Sequence, residues 1–488
     1  MKWPSLETIV AWYSDATMSW PSLETILAGY AGFMLVFFFA INSYYLVLTL
    51  AGFWRTVRTV LEIQPTDRRR LLRSPFTPPV SVLAPAFNEE ANVVENVRSL
   101  LMLDYPLFEV IVVNDGSSDH TLEALIEEFE LRPTARSFEY AVPCKTIRCV
   151  YESATYSNLV LVDKDNGGKA DALNAGLNLS LYPLFCAIDA DSILDSDALL
   201  RLVRPFLDAP GVTIAAGGVV RVANGCDIRA GRVREVRLVR RALPLIQIVE
   251  YLRAFLFGRM GWSGGNSLLV ISGAFGLFEK RTAVQAGGYA TDTVGEDMEL
   301  VVRMHRYLHD RKQPYRIGFV PDPICWTEVP ETLRVLRRQR TRWQRGLIDT
   351  IWRHRGMIGR PRYGMVGLVS LPAFAMFEML SPVVEFSGYV LLPVLWLNGV
   401  LNTSYAVTFL MLSLLYAVQV SVLAVLLEDI AFRRYPKLRD LGMLVAGAVL
   451  ENLGYRQLTL WWRVRAFWEF WRGDLSWGAM ERRVMRVS

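Results

Sequence analysis

The chain has 488 residues, 52% hydrophobic and 21% charged, with 53 lysines and arginines against 48 aspartates and glutamates, a net charge of +5. That length provides for a sizeable core and more than one domain, and so apolar a composition argues against a wholly soluble protein. The basic clusters flank apolar segments with no nucleic-acid motif beside them, which excludes nucleic acid as a partner and favours membrane lipid. Cys144, Cys149, Cys186, Cys226 and Cys325 show no close metal-type spacing and fit reduced thiols in a cytoplasmic domain.

In chain order, an N-terminal segment (1–24) carries the heptapeptide WPSLETI at Trp3 and again at Trp20, a duplication too short to define a repeat architecture. No charged residue interrupts Thr25–Trp54. Since roughly 20 apolar residues cross a bilayer, residues 25–54 are predicted to form a transmembrane helix. A cleaved signal peptide has an apolar region of only about 7–15 residues. Arg55, Arg58, Arg68, Arg69, Arg70 and Arg73 follow in a basic linker (55–79) and place the next region in the cytoplasm.

Residues 80–356 read as an α/β domain. VSVLAPAFNEE and FEVIVVNDGSSD are strands ending in polar loops, and Asp119 is expected to cap the amphipathic HTLEALIEEFEL. NLVLVDKDNGGKADALNAGL and LFCAIDADSILDSDALLRLV repeat the unit. Four such units imply a mostly parallel sheet with helices on both faces, and ligand-binding loops at the carboxyl ends of its strands. Within the domain, residues 240–260 form an apolar helix with charged ends, suited to the core or to the bilayer surface. Residues 331–350 make a second interface helix.

Beyond Gly356 the C-terminal apolar region (357–462) is predicted to span near Met379–Val400 and Ser404–Leu427. Tyr363–Phe377 is short, and Leu441–Trp462 is interrupted by Glu451, Asn452 and Arg456, so one of them lies at the interface or both cross. A basic amphipathic tail (463–488) closes the chain.

Several loops hold residues suited to chemistry. Asp189 and Asp191 in AIDADS can direct carboxylate oxygens onto one hard cation such as Mg²⁺, which also takes diphosphate oxygens; a turn with a helix cap is the plainer alternative. Asp115 in VVNDGSSD either accepts hydrogen bonds from a nucleobase or ribose or builds a turn. NGGKADALN sets Gly167 and Gly168 before Lys169 at a helix start, where an anion is favoured, without Walker spacing. In TVGEDMEL, Glu296 and Asp297 open a helix, either complementing its dipole or supplying a general base. In LRVLRRQRTRWQRG, Gln339, Arg342 and Trp343 share one helical face. There Arg342 holds a leaving pyrophosphate and Trp343 stacks on a sugar, or the helix rests on lipid headgroups.

Taken in this order, the motifs resemble the membrane-integrated family 2 glycosyltransferases, inverting enzymes that include cellulose, hyaluronan, chitin and poly-N-acetylglucosamine synthases. PAFNEE, Asp115 in NDGSSD, Asp163 and NGGKADALN, Asp189 with Asp191 in DAD, Asp297 in GED, and QRTRW carry the resemblance, which covers about Val80–Gly346. It implies an α/β GT-A glycosyltransferase domain embedded between transmembrane α-helices, with amphipathic interface helices. It implies that Asp115 contacts uridine, and that Asp163, Lys169, Pro85, Asn88 and Glu89 belong to the donor side. Asp189 and Asp191 would hold the diphosphate, Asp191 through Mg²⁺ or Mn²⁺. Asp297, beside Glu296, would be the base on the acceptor hydroxyl. Arg342 would neutralise departing UDP, Trp343 with Gln339 would form the acceptor platform, and Ser272 and Gly273 in SGAFGLF would line the acceptor site. The family's usual TED reads GED here, with Gly295 replacing threonine while both acids remain.

The function so implied is a processive inverting β-glycosyltransferase that polymerises a sugar from a UDP-sugar donor and moves the polysaccharide across the membrane. UDP-N-acetylglucosamine is preferred over UDP-glucose, because CWTEVPETL looks like the poly-N-acetylglucosamine synthases. The expected partners are the donor, the growing polysaccharide, membrane lipids and an accessory secretion or regulatory subunit. The expected location is the inner or plasma membrane, with the catalytic domain in the cytoplasm. Two alternatives stand beside this: a non-processive transferase to a polyprenyl-phosphate or ceramide-like lipid, and an inactive channel or sensor subunit of a secretion complex.

Overall fold

The β-branched runs that end in polar loops assemble into one ten-stranded sheet. The computed structural model describes residues 23–62, 67–189, 191–229, 231–399 and 402–472. The strands are β1 (Val80–Ala86), β2 (Phe108–Asn114), β3 (Leu131–Pro133), β4 (Ile147–Ser153), β5 (Leu159–Lys164), β6 (Leu184–Ile188), β7 (Ile193–Leu194) and β8 (Thr213–Val222). A separate hairpin of β9 (Asp227–Arg229) and β10 (Arg232–Glu235) follows, then β11 (Phe275–Glu279) and β12 (Arg316–Thr327). The sheet order is β3-β4-β5-β2-β1-β6-β11-β8-β12-β7.

At its centre β5, β2, β1 and β6 run parallel. They are buried along nearly their whole length, which is why they read as continuous apolar runs and not as alternating ones. The Lys169–Leu179 helix lies directly on them because Gly176 has no side chain: a Cβ there would stand 3.2 Å from Leu83. Antiparallel strands flank this parallel centre. β4 and β3 extend one edge, and β11 enters between β6 and β8 in the reverse sense. The reversal follows from the chain's path, since between β8 and β11 it leaves the sheet through the hairpin and the 242–263 helical stretch before returning. Asp119, the expected cap, stands one residue before the observed N-cap. Its carboxylate accepts from the Thr121 N–H and hydroxyl, while His120 occupies the N-cap without a side-chain bond.

Among the described residues three helices are long and apolar enough to cross a membrane: Ala28–Glu62, Val366–Leu397 and Ala406–Ala431. Tyr363–Phe377 is therefore no separate segment, since all but its first residues join the second of these. The N-terminal WPSLETI copy and the tail from Gly473 lie outside the described residues. Leu441–Trp462 does not form one helix. It lies across Leu438–Leu450 and Arg456–Trp471, which break at Leu453 and Gly454, where Gly454 takes φ +89°.

The 240–260 segment is a helix over Ala242–Arg253 that continues through a π-helical turn, Ala254–Arg259, to Ser263. Its apolar side chains pack inward: Leu245, Ile248, Val249 and Leu252 are buried in the main core. Glycines bring it against the first apolar helix, where a Cβ on Gly52 would lie 2.7 Å from Phe257 Cα and one on Gly261 3.0 Å from Leu48.

The Leu333–Arg353 helix is capped by Thr332, whose side chain accepts from the Val335 N–H. It meets the start of the Glu296–Asp310 helix at two glycines. A Cβ on Gly295 would stand 2.8 Å from Gly346 Cα, and the reverse distance is the same. This explains GED in place of TED, because a threonine at 295 would drive its side chain into the facing backbone. Gly295→Thr should therefore lower stability by about 1–3 kcal/mol and pull the two helices apart. A lowered unfolding temperature together with lost activity checks this, and unchanged values for both would refute it.

Candidate active site

The polar loops lie at the carboxyl ends of β1, β2, β5 and β6, and are tied to one another before any ligand is considered. Asn88, after β1, adopts φ +54°. Its N–H donates to Ser117 Oγ (3.0 Å) and its side-chain oxygen accepts from Ser118 N (2.8 Å). The Glu89 N–H donates to Thr121 Oγ1 at 2.8 Å. Pro85 ends β1 opposite Val113 of β2.

Asp115 is buried and its carboxylate is fully engaged by protein. It accepts from Lys164 Nζ (2.6 Å), Gly167 N (3.0 Å) and Gly168 N (2.7 Å). In this structure Asp115 thus shapes the NGGK loop. Gly116 (φ +66°) allows that approach, since a Cβ there would meet Asn166 N at 2.7 Å. Asp163 accepts from Asn114 Nδ2 (2.7 Å) and faces Arg148 Nη1 at 3.6 Å. Lys164, absent from the sequence expectations, is wholly buried between Asp115 and Asp171, 2.6 Å from each. A lysine ending an apolar strand run, VLVDK, was the signal available.

Lys169 opens its helix, yet its ammonium turns to carboxylates and away from solvent. It pairs with Asp189, lies 3.5 Å from Glu296 and donates to the Gly273 carbonyl (3.3 Å). Gly273 in turn donates its N–H to Asp297 Oδ2 at 2.9 Å, while the other Asp297 oxygen accepts from the Met298 N–H at 2.7 Å. A Cβ on Gly273 would stand 3.1 Å from Lys169 Nζ and 3.2 Å from Asp297 Oδ2. Gly273 therefore holds the acid as well as lining the cleft. Ser272 makes the turn before β11, its carbonyl accepting from Phe275 N. Lys169 joins Asp189 to the two acids of GED, motifs that lie far apart in sequence.

Burial and the neighbouring Asp189 charge push the Asp191 carboxyl up to about 7. Burial likewise raises Glu296, against the pull of Lys169. Two carboxylates crowded in a desolvated loop fit a cation, and the oxygens of a diphosphate would complete its coordination. Among the described residues no group of three or more His, Cys, Asp or Glu forms a self-sufficient metal cage.

On the Leu333–Arg353 helix the arginines divide their tasks. Arg340 turns inward, 2.6 Å from Glu250, with its guanidinium 4.3 Å over the Trp343 ring. Trp343 itself is 43% exposed, with that cation against one face of its ring. Arg342 lies in the field of Glu296. Gln339 has a buried side-chain oxygen with no hydrogen-bond donor among the described residues. The structure thus brings together Lys169, Asp189, Gly273, Glu296 and Asp297, with Asp191 and Arg342 beside them, while Asp115 and Asp163 brace the loops behind. Removing the ammonium in Lys164→Met leaves Asp115 and Asp171 buried and uncompensated, a cost of about 3–5 kcal/mol. Chemical denaturation of the full-length protein should show that loss, and a midpoint within error of wild type would refute the bracing role.

The family model for "Glycosyl transferase family group 2" matches residues 184–427, half the chain, and that for "Glycosyl transferase family 2" matches residues 81–138. A poly-beta-1,6-N-acetyl-D-glucosamine synthase of Staphylococcus epidermidis is 28% identical over 317 residues, 64% of this chain and 64% of the relative. Its counterpart in Staphylococcus aureus (strain COL) is 30% identical over 270 residues, 55% of this chain and 54% of the relative. The match thus spans just under two thirds of the first relative's length. Among solved structures, the mannosyltransferase PcManGT from Pyrobaculum calidifontis, in complex with GDP-Man and Mn²⁺, has a TM-score of 0.50 at 19% identity, covering 89% of this chain and 99% of that one. A GT-A-like sheet, the ordered acidic loops at its carboxyl edge and a family match over half the length make this chain a member of glycosyl transferase family 2.

Proposed function

We propose that this protein is a membrane-embedded, inverting glycosyltransferase that extends a β-linked polysaccharide from a UDP-sugar, with UDP-N-acetylglucosamine as the preferred donor. The observation that carries the reading is the convergence of Asp189, Lys169, Glu296 and Asp297 beside an exposed tryptophan on a helix packed against the apolar helices. The names of the staphylococcal relatives support the donor and the polymeric product.

In this reading Asp297 is the base. The Gly273 N–H and the Met298 N–H fix its two oxygens, so the carboxylate is oriented before an acceptor arrives. The acceptor oxygen attacks the anomeric carbon as the bond to the diphosphate breaks on the opposite face. Its proton passes to Asp297, and inversion turns an α-linked donor into a β-linked product. Asp189 and Asp191 would hold Mg²⁺ or Mn²⁺, which would supply Lewis-acid stabilisation of the leaving diphosphate; the Mn²⁺ bound to the mannosyltransferase of like fold supports this assignment. Arg342 adds positive charge on the leaving-group side. Trp343 offers a stacking face to the acceptor sugar, with Gln339 one turn before it on the same helical face. Pro85, Asn88, Glu89, Asp115 and Asp163 shape the nucleotide side.

Translocation has its own support. Polar groups meet one another along the apolar helices: Tyr45 donates to Glu378 at 3.2 Å, and Glu385 pairs with Arg456 of the Arg456–Trp471 helix at 3.2 Å. Such groups mark polar paths in membranes. Three crossings also return the Arg433–Arg439 loop to the catalytic side, in accord with the positive-inside rule.

The test is UDP release by the detergent-purified, full-length protein given UDP-N-acetylglucosamine, UDP-glucose or UDP-glucuronate with Mn²⁺, followed by sizing of the product. The expected result is a ladder or high polymer from UDP-N-acetylglucosamine, with Asp297→Asn lowering turnover by about 10²–10⁴-fold. A single-sugar lipid product would replace the polymerase by a lipid-modifying transferase. Silence with every donor would favour an inactive subunit.

A further inference from the structure

The loop that bears Asp189 and Asp191 runs into β7, a strand of two residues at the sheet's edge, hydrogen-bonded to β12 alone. So short an edge strand restrains a loop weakly. Beyond it, Asp195 gathers the restraints. Its N–H donates to the Ile324 carbonyl (3.1 Å), and its Oδ1 accepts from Trp326 Nε1 (2.9 Å). Its other oxygen faces Arg434 Nη2 at 3.8 Å.

Arg434 belongs to the turn that ends the third apolar helix, Thr403–Ala431. That turn is well defined: Phe432 N and Arg433 N both donate to the Glu428 carbonyl at 2.9 Å, and Arg433 takes φ +49°. The same helix end touches the sheet a second time. Ile193 pairs with Trp326 and Trp326 with Arg221, one row across β7, β12 and β8. Arg221 forms a wholly buried ion pair with Glu428. The end of a membrane helix is thus fastened to the strand row, through Arg221, and to the hinge of the acidic loop, through Asp195.

We infer that Arg434 is a positioning residue that holds the Asp189–Asp191 loop in its metal–diphosphate geometry by way of Asp195, so that the seating of the third apolar helix sets donor affinity. The inference rests on the glycosyl-transfer reading above. Arg434 touches neither donor nor acceptor. Its loss frees one end of the loop, weakens the metal–UDP complex and leaves the base and the acceptor side in place.

Binding of Mn²⁺ to the full-length protein with UDP present, read from the electron paramagnetic signal of free Mn²⁺ and from the ligand-induced rise in unfolding temperature, tests this without turnover. Arg434→Gln is expected to raise the half-saturating Mn²⁺ concentration about fivefold, with the ligand-free unfolding temperature held. The KM for donor should rise while kcat at saturating metal and the response to acceptor stay close to wild type. Arg434→Lys should restore most of the affinity. Asp195→Asn, which keeps an acceptor for Trp326, should reproduce the defect, and the double variant should add nothing more. Wild-type Mn²⁺–UDP affinity in Arg434→Gln, or in Asp195→Asn should the first fail to fold, overturns the inference alone. A wild-type protein that binds no Mn²⁺–UDP overturns the glycosyl-transfer reading and this inference with it.

Discussion

Carboxylates crowd the carboxyl edge of this sheet, and their mutual repulsion in a desolvated cleft is the constraint that the rest of the structure answers. Asp115 and Asp171 coexist because Lys164 is buried between them. Asp189 and Glu296 coexist because Lys169 reaches both. Inside a protein each such charge is costly unless paired and hydrogen-bonded. The two lysines therefore do more than neutralise: they fix which loops lie together. Lys164 joins the loops after β2 and β5, and Lys169 joins Asp189 to the Glu296–Asp310 helix. What stays incompletely compensated is Asp191, whose carboxyl is pushed up to about 7 by burial and the neighbouring Asp189 charge.

The same logic extends into the junction with the apolar helices. Arg340 with Glu250 and Tyr455, Arg253 with Glu451, and Arg221 with Glu428 each join elements distant in sequence. A buried pair contributes little net stability, since desolvation offsets most of the attraction, but breaking one strands a charge. Such contacts resist sliding of one element along another, as apolar packing alone does not. The domain and its helices are thereby held in one register.

Much of this was legible in order along the chain. The strand–loop units, the acidic motifs and the Q-x-x-R-W helix were readable because each is local: a run of apolar residues, a turn, a spacing on one helical face. Thr25–Trp54 read as a span for the same reason, and the Leu23–Glu62 helix contains it. What the sequence left open has a common source. The 240–260 helix has charged ends and an apolar middle, which suits a core and a bilayer surface equally, and its contacts with the sheet and with Leu48 and Gly52 of the first apolar helix appear only in the fold. The antiparallel entry of β11 depends on the route taken by the preceding chain, which no periodicity records. Arg340 and Arg342 look alike in LRRQRTRW, yet one pairs with Glu250 inside and the other faces Glu296.

By itself the sequence determined the elements, their order and the chemistry available at each loop, because hydrophobic period and turn residues act over a few neighbours. It determined the family as well, through the ordered acids and Gln339, Arg342 and Trp343. Only the tertiary structure decided the pairings: that Asp115 serves Gly167 and Gly168, that Gly273 aims Asp297, that Gly295 is required by Gly346, and that Lys164 is buried at all. Coulomb energy and close contact depend on distances between residues tens of positions apart, and those distances exist only once the chain has folded.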